Sequence, residues 1–146
     1  MIAGSPAIAA SGPKQWRASA SHNQKDVGLA IDTDAGSRWS SDAQQEPGMW
    51  FAIDMLNPTQ ITKLTLDTQR SAEDFPLSYD VSISDDGVTW SAPIIRNTGK
   101  NATIEIPLPP GTVARHVRIT QTGKSQRWWS IHELITDTKA VSESSQ

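Results

Sequence analysis

The chain has 146 residues, a net charge of −3 and no cysteine. This length fits one domain with a sizeable core, and the lack of cysteine excludes disulfides and thiolate metal sites. The acidic balance, without a cluster of Lys and Arg, argues against nucleic-acid binding because phosphate contacts need grouped basic side chains. No apolar run reaches the roughly 20 residues that a membrane-spanning helix requires.

The two ends of the chain differ in composition from its middle. Residues 1–13 are mildly apolar but carry no basic segment, so we interpret them as a linker or an added end and not as a signal peptide. Residues 139–146, `KAVSESSQ`, are polar and are predicted to form a flexible tail. The folded domain is therefore expected at 14–138, as a module of a larger protein.

Apolar residues between these ends recur mostly with a period of two, which is typical of strands with one solvent-exposed face. Turn residues interrupt the pattern at `NPT` (57–59), `NTGKN` (97–101) and `PPG` (109–111), and `DDG` (85–87) predicts a hairpin turn. No segment has a long helical stripe, so the pattern predicts an antiparallel β-sandwich or barrel. The predicted strands are 50–55, 63–68, 79–84, 102–108, 116–122 and 130–136.

The sequence is rich in tryptophan, with six residues against one tyrosine. Adjacent residues of a strand point to opposite faces, so one of Trp128 and Trp129 is expected in the core and the other in solvent. We favour Trp128 as the exposed residue. The others are expected in core or structural positions, with one near the termini: Trp39, Trp50 and Trp90, and Trp16.

Five segments in order resemble one known family: `AIDTDAGSRWSS`, `PGMWFAIDM`, `YDVSISDDGVTW`, `ARHVRITQTG` and `WWSIHEL`. They are similar to discoidin-like domains, also called F5/8 type C, and especially to bacterial family 32 carbohydrate-binding modules. The resemblance covers about residues 16–137. It implies an all-β, antiparallel jelly-roll β-sandwich of the galactose-binding-domain type, with about eight strands.

The loop `IDTDAGS` suggests a calcium site, because calcium takes six to eight oxygen ligands. EF-hand spacing fails, since Gly36 and Ala43 stand where ligands are required. The alternative is a metal-free turn in which Asp32 and Asp34 accept hydrogen bonds from nearby backbone N–H groups. The resemblance implies a structural Ca²⁺ held by side-chain or carbonyl oxygens of Leu29, Asp32, Asp34, Ser37, His132 and Glu133.

Sugars are bound by aromatic faces together with polar groups that hold hydroxyls in fixed directions. The resemblance places an arginine after `TLDT`, which is Arg70, and an aromatic residue before the last strand, which is Trp128 or Trp129. The alternative for the acids that follow Arg70 is simple pairing with it in solvent. The His and Asn of many galactose-binding relatives are missing, so no galactose preference is implied. Weaker ligand candidates in the neighbouring loops are Glu73, Asp74, Asp42, Gln44, Gln45 and His22.

No catalytic residue is predicted, because `HExxH`, `GxSxG`, P-loop and `GxGxxG` motifs are missing and no facing carboxylate pair is marked. The first hypothesis is a monomeric, non-catalytic module that anchors a larger exported protein to a glycan or polysaccharide. Its location would be extracellular, cell-surface or periplasmic. The alternatives are an adhesion or membrane-lipid module and a purely structural accessory domain. The polar loops and the lack of cysteine favour the sugar-binding hypothesis over the adhesion or membrane-lipid module.

Overall fold

The computed structural model describes residues 16–34, 36–68, 71 and 73–139. The predicted linker, Arg70 and residues 140–146 of the predicted tail lie outside these ranges, whereas Lys139 ends the last strand. No helix in the described ranges is long and apolar enough to cross a membrane. In order, the elements are β1 (Arg17–Ala20), the 3-10 helix η1 (Gln24–Ala30), β2 (Trp39–Gln45), β3 (Met49–Asp67), β4 (Ser78–Ser84), β5 (Ile95–Thr98), β6 (Thr103–Pro107), β7 (Val113–Gln121), β8 (Ser125–Ile131) and β9 (Glu133–Lys139).

The strands form a larger sheet of seven strands and a smaller sheet of two. The larger sheet has the order β1-β3-β7-β4-β5, and β6 and β9 pair with the C-terminal half of β3. The smaller sheet pairs β2 with β8. All pairings are antiparallel, which confirms the predicted all-β antiparallel sandwich.

Strand β3 is continuous where the sequence predicts two strands separated by a turn at `NPT`. The chain bulges instead of turning, and the register with β7 shifts between Asp54 and Thr59. Leu56 has a φ of 73°, and its N–H donates to Asp54 Oδ1 at 2.8 Å. A bulge accommodates a proline without ending the strand. The first half of β3 thus pairs with β1 and β7, the pairing with β7 continues to Gln60, and the second half pairs with β6 and β9.

The predicted strand at 130–136 is also wrong, because the chain changes sheets at His132. The His132 N–H donates to the carbonyl of Asp67 at 2.8 Å, between the end of β8 and the start of β9. This break leaves Trp128 in the smaller sheet and places Glu133 opposite Asp67 at the end of β3. The predicted sugar site and the predicted calcium site both depend on this break.

The core joins both halves of β3 with the smaller sheet in one apolar cluster. Trp39 packs edge-on against Trp129 and Phe51, with ring centroids 5.2 and 5.1 Å apart. Trp129 is 0% exposed and Trp128 is 42% exposed, which confirms the predicted alternation. Trp16 belongs to the core cluster, whereas Trp50 and Trp90 do not and are half-buried.

Candidate functional site

The exposed indole of Trp128 lies on the outer face of the smaller sheet. Gln44 of β2 stands directly opposite it, and residues opposite each other in antiparallel strands share a face. Strand β2 bulges between Ser40 and Gln44, and Asp42 occupies the bulge with a φ of 57°. Asp42 and Gln44 are both exposed, so β2 supplies polar groups along one side of the indole.

The segment around Glu73 and Asp74 docks on the other side of this surface. Glu73 forms an ion pair with Arg127, the residue before Trp128. Asp74 is tied to Ser130, whose hydroxyl donates to its Oδ2 at 2.7 Å and whose N–H donates to its carbonyl at 2.9 Å. Both acids therefore have partners other than Arg70, and they hold this segment against β8.

Gln45 fixes the backbone around Trp128. Its side chain is buried, and its amide donates to the carbonyls of Phe75 at 2.8 Å and of Trp128 at 3.2 Å. Its Oε1 accepts from the N–H of Leu77 at 3.0 Å. One amide thus joins both strands of the smaller sheet to the segment that follows Asp74, and its role is positioning.

The structure does not bring every predicted residue to this surface. His22 lies at the entrance of η1, with its Nδ1 2.9 Å from Ser21 Oγ and its carbonyl accepting from the Trp39 indole at 3.1 Å. Trp129 is buried and cannot meet a ligand. Sequence reasoning missed Arg127, although a cation beside an exposed tryptophan in `QRWWS` was a signal that could have found it.

Arg38 is a second cation that sequence reasoning missed. Its Nη1 donates to Ser71 Oγ and lies 4.0 Å from Asp74 Oδ2. It therefore braces the segment that carries Glu73 and Asp74 against the start of β2.

The acidic loop at Asp32 is closed by its own hydrogen bonds. Asp32 Oδ1 accepts from the N–H of Asp34 at 2.9 Å, and Asp34 Oδ1 accepts from the N–H of Gly36 at 2.8 Å. The Ser37 hydroxyl contacts Asp32 Oδ2 and the carbonyl of Asp34. These are the contacts expected of the metal-free alternative.

Glu133 faces this loop and gives it the character of a cation site. Its Oε2 accepts from the N–H of Thr33 at 3.1 Å, but its Oε1 is buried without a hydrogen-bond donor among the described residues. Burial raises the pKa of Glu133 to about 7, and the charges of Asp32, Asp34 and Asp67 add to the effect. A buried carboxylate oxygen among other carboxylates fits an oxygen-preferring cation such as calcium.

Within the described ranges, no three acidic or His side chains converge closely enough to form a ready-made metal cluster. Leu29 is the penultimate residue of η1, and its side chain is partly exposed. The His132 Nε2 lies 3.0 Å from Ser71 Oγ, so the ring has a hydrogen-bond partner outside the loop sequence. A carbonyl ligand from either residue would leave these side chains in place. The calcium site stays a prediction.

The family profile of the F5/8 type C domain matches residues 9–134. No curated protein is significantly similar to the chain. Solved structures that share the fold include a family 32 carbohydrate-binding module of Clostridium perfringens in complex with GalNAc-β-1,3-galactose. That pair has a TM-score of 0.74 and 18% identity, and it covers 86% of this chain and 96% of the other.

Two further structures share the fold. Chitosan-binding module 2 of a chitosanase/glucanase from Paenibacillus sp. IK-5, in complex with chitotriose, has a TM-score of 0.62 and 23% identity, covering 84% of this chain and 94% of the other. The family 32 module of AlyQ, in complex with 4,5-unsaturated mannuronic acid, has a TM-score of 0.64 and 22% identity, covering 82% and 92%. Because the family profile spans most of the sequence, this chain belongs to the F5/8 type C domain family.

Proposed function

We propose that the domain is a non-catalytic carbohydrate-binding module whose sugar contacts centre on Trp128. The observation that carries the proposal is a large exposed indole on a strand, rimmed by Gln44, Asp42 and the Arg127–Glu73 pair. An aromatic face stacks on the C–H surface of a sugar, while amides and charged groups hold its hydroxyls. Sugar complexes among proteins of the same fold support this proposal.

The indole is presented by a pre-organised backbone. Gln45 and Asp74 tie β8 to its neighbours on both sides, so little conformational freedom is lost when a ligand binds. A single exposed ring with a polar rim nevertheless offers a small contact area. Affinity for one sugar site is therefore expected in the range of roughly millimolar to micromolar, increased by tethering or multivalency.

We also propose a structural calcium ion between the loop after η1 and the start of β9. The ion would cross-link these segments and offset the carboxylate charge of Glu133, whose Oε1 lacks a donor among the described residues. The residues that would hold the ion are Leu29, Asp32, Asp34, Ser37, His132 and Glu133.

A binding module of this kind would hold a larger exported protein at a glycan or polysaccharide surface. One protein of the same fold comes from a chitosanase/glucanase, which supports a catalytic parent domain. The module would act outside the cell, at the cell surface or in the periplasm. It would function as a monomer, since β2–β8 presents its site without a second copy.

A glycan array and affinity gels with soluble polysaccharides test this function. Wild type is compared with Trp128→Ala and with Val113→Ala, a control that removes another exposed apolar side chain. We expect wild type and the control to retain one class of glycan, and Trp128→Ala to lose at least tenfold in affinity. A folded wild-type domain that binds no glycan, or that binds lipid vesicles instead, would contradict the proposal.

A further inference from the structure

A concave surface, separate from the Trp128 surface, lies on the outer face of the larger sheet. It is a groove of about 450 Å³ between β1, β3, β7 and the loop 85–94. None of its lining residues belongs to the Trp128 surface or to the acidic loop. Its volume falls within the range of pockets that hold small molecules. Its lining includes Arg17, Trp50, Ala52, Trp90, His116 and Arg118.

Strand alternation builds the floor of the groove. Phe51 and Ile53 point into the core, so Trp50, Ala52 and Asp54 point outward. Ala52 pairs with Arg118 of β7 on one side and with Ser19 of β1 on the other. The small Ala52 side chain leaves a depression in the sheet beside the large Trp50 and Arg118 side chains.

The loop 85–94 forms one wall, because a glycine lets it approach the sheet. Gly87 has a φ of 76°, and a Cβ there would lie 3.0 Å from the Cε1 of His116. This close approach sets the Trp90 ring over Arg118, with the guanidinium carbon 4.3 Å from the ring centroid. The stacking holds the guanidinium in one orientation.

The Arg118 guanidinium has no acidic partner among the residues that the structure describes. Within the same residues its Nε is buried without an acceptor, and burial lowers the pKa of the guanidinium. A partly buried cation without an acceptor is costly. Arg17, also in the groove, has no ion pair within the same ranges.

Two acids, Asp54 and Asp86, line the groove, and both are already engaged. Arg115 donates to both oxygens of Asp54, at 2.8 and 3.0 Å, and these bonds hold the pKa of Asp54 below its usual range. Asp86 accepts from the N–H groups of Val88 and Thr89 within its own loop. The groove therefore offers two indoles and two guanidinium groups that have no counter-ion among the described residues.

We propose that this groove binds a carboxylate-bearing saccharide, with the carboxylate on Arg118 and the sugar ring against Trp50 or Trp90. Arginine forks a carboxylate, and flat indole walls suit a sugar ring. An acidic peptide fits less well, because peptide recognition on a sheet uses a free strand edge. Both edges of β3 and of β7, which carry Trp50 and Arg118, are already paired here, and the strand that ends the sheet on this side, β1, has four residues.

The test is a titration followed by nitrogen-15 NMR, with the indole N–H signals of Trp50 and Trp90 and the Arg118 Nε–H as reporters. The probe is a trimer of galacturonic acid, compared with the neutral galactose trimer and with acetate. We expect saturable shifts of these reporters with the acidic trimer only. Arg118→Met, which keeps the chain length but not the charge, should lose at least tenfold in affinity.

The matched control is Arg96→Met, which removes an exposed cation on β5, outside the groove. It should bind the acidic trimer as wild type does. Trp128→Ala should bind it too, so the result at the groove does not depend on whether Trp128 binds sugar. Arg17→Gln provides a second groove variant if Arg118→Met does not fold. No reporter shift, equal shifts with the neutral trimer or acetate, or equal affinity for polyglutamate would overturn the proposal.

Discussion

The carboxylate of Glu133 accepts a hydrogen bond from the N–H of Thr33 at 3.1 Å, although the two residues lie 100 positions apart. This contact joins the acidic loop to the start of β9, and the other carboxylate oxygen of Glu133 is buried without a donor among the described residues. The loop is therefore arranged to gain from a cation.

Calcium should raise the melting temperature of the domain, and EDTA should reverse the effect. A ligand at about 100 times its dissociation constant adds about 2.7 kcal/mol, which is roughly 5–10 °C for a domain of this size. Glu133→Gln should abolish the response, whereas Glu105→Gln, an exposed acid on β6, should retain it. Calorimetry with and without calcium makes the measurement. An unchanged wild-type melting temperature would count against the site.

The calcium response should grow with pH. Glu133 has an ordinary pKa of 4.5 and a folded pKa of about 7, so the metal-free folded state binds more protons than the unfolded state between these values. Its contribution to stability is therefore lost as pH rises from about 4.5 to 7. Because calcium requires the charged carboxylate, the calcium-induced rise in melting temperature should be larger at about pH 8 than at about pH 5. Equal rises at both would contradict this account.

Sequence alternation predicted β4 and β7 because each has one face in the core and one outside it. It missed β2, whose bulge at Asp42 disrupts the alternation, and it took the bulge at `NPT` for a turn. Proline and asparagine occur both in turns and in bulges, so only the strand pairing shows that `NPT` lies in a bulge. The change of sheet at His132 is set by long-range pairing that no local pattern encodes.

The candidate site, like the fold, was predictable from the sequence only in part. Strand alternation predicts that only one of Trp128 and Trp129 faces solvent, but two identical side chains do not by themselves decide which one fills the core. The Arg127–Glu73 pair does not follow, because it depends on how a loop distant in sequence docks on β8. Trp50 could have been placed on the outer face from the same alternation, since Phe51 beside it is buried.

The two adjacent tryptophans of β8 should respond oppositely to truncation. Trp129→Ala removes a buried ring that packs on Trp39, so it should destabilise the domain by about 3–5 kcal/mol. Trp128→Ala should change the free energy of unfolding by less than about 1 kcal/mol while losing glycan binding. Denaturant unfolding and affinity gels separate the two effects. Strong destabilisation by Trp128→Ala would show that its role is structural.

Gln45 and Gln44 are expected to have different roles: Gln45 positions the site, and Gln44 faces the ligand. Gln45→Ala leaves the N–H of Leu77 and the carbonyls of Phe75 and Trp128 without their partner, which should cost about 2–3 kcal/mol. Gln44→Ala removes an exposed amide and should change stability by less than about 0.5 kcal/mol while weakening glycan binding. Unfolding and binding curves for both variants are the measurement. If Gln45→Ala kept wild-type stability, the buried amide could not be what holds Trp128 in place.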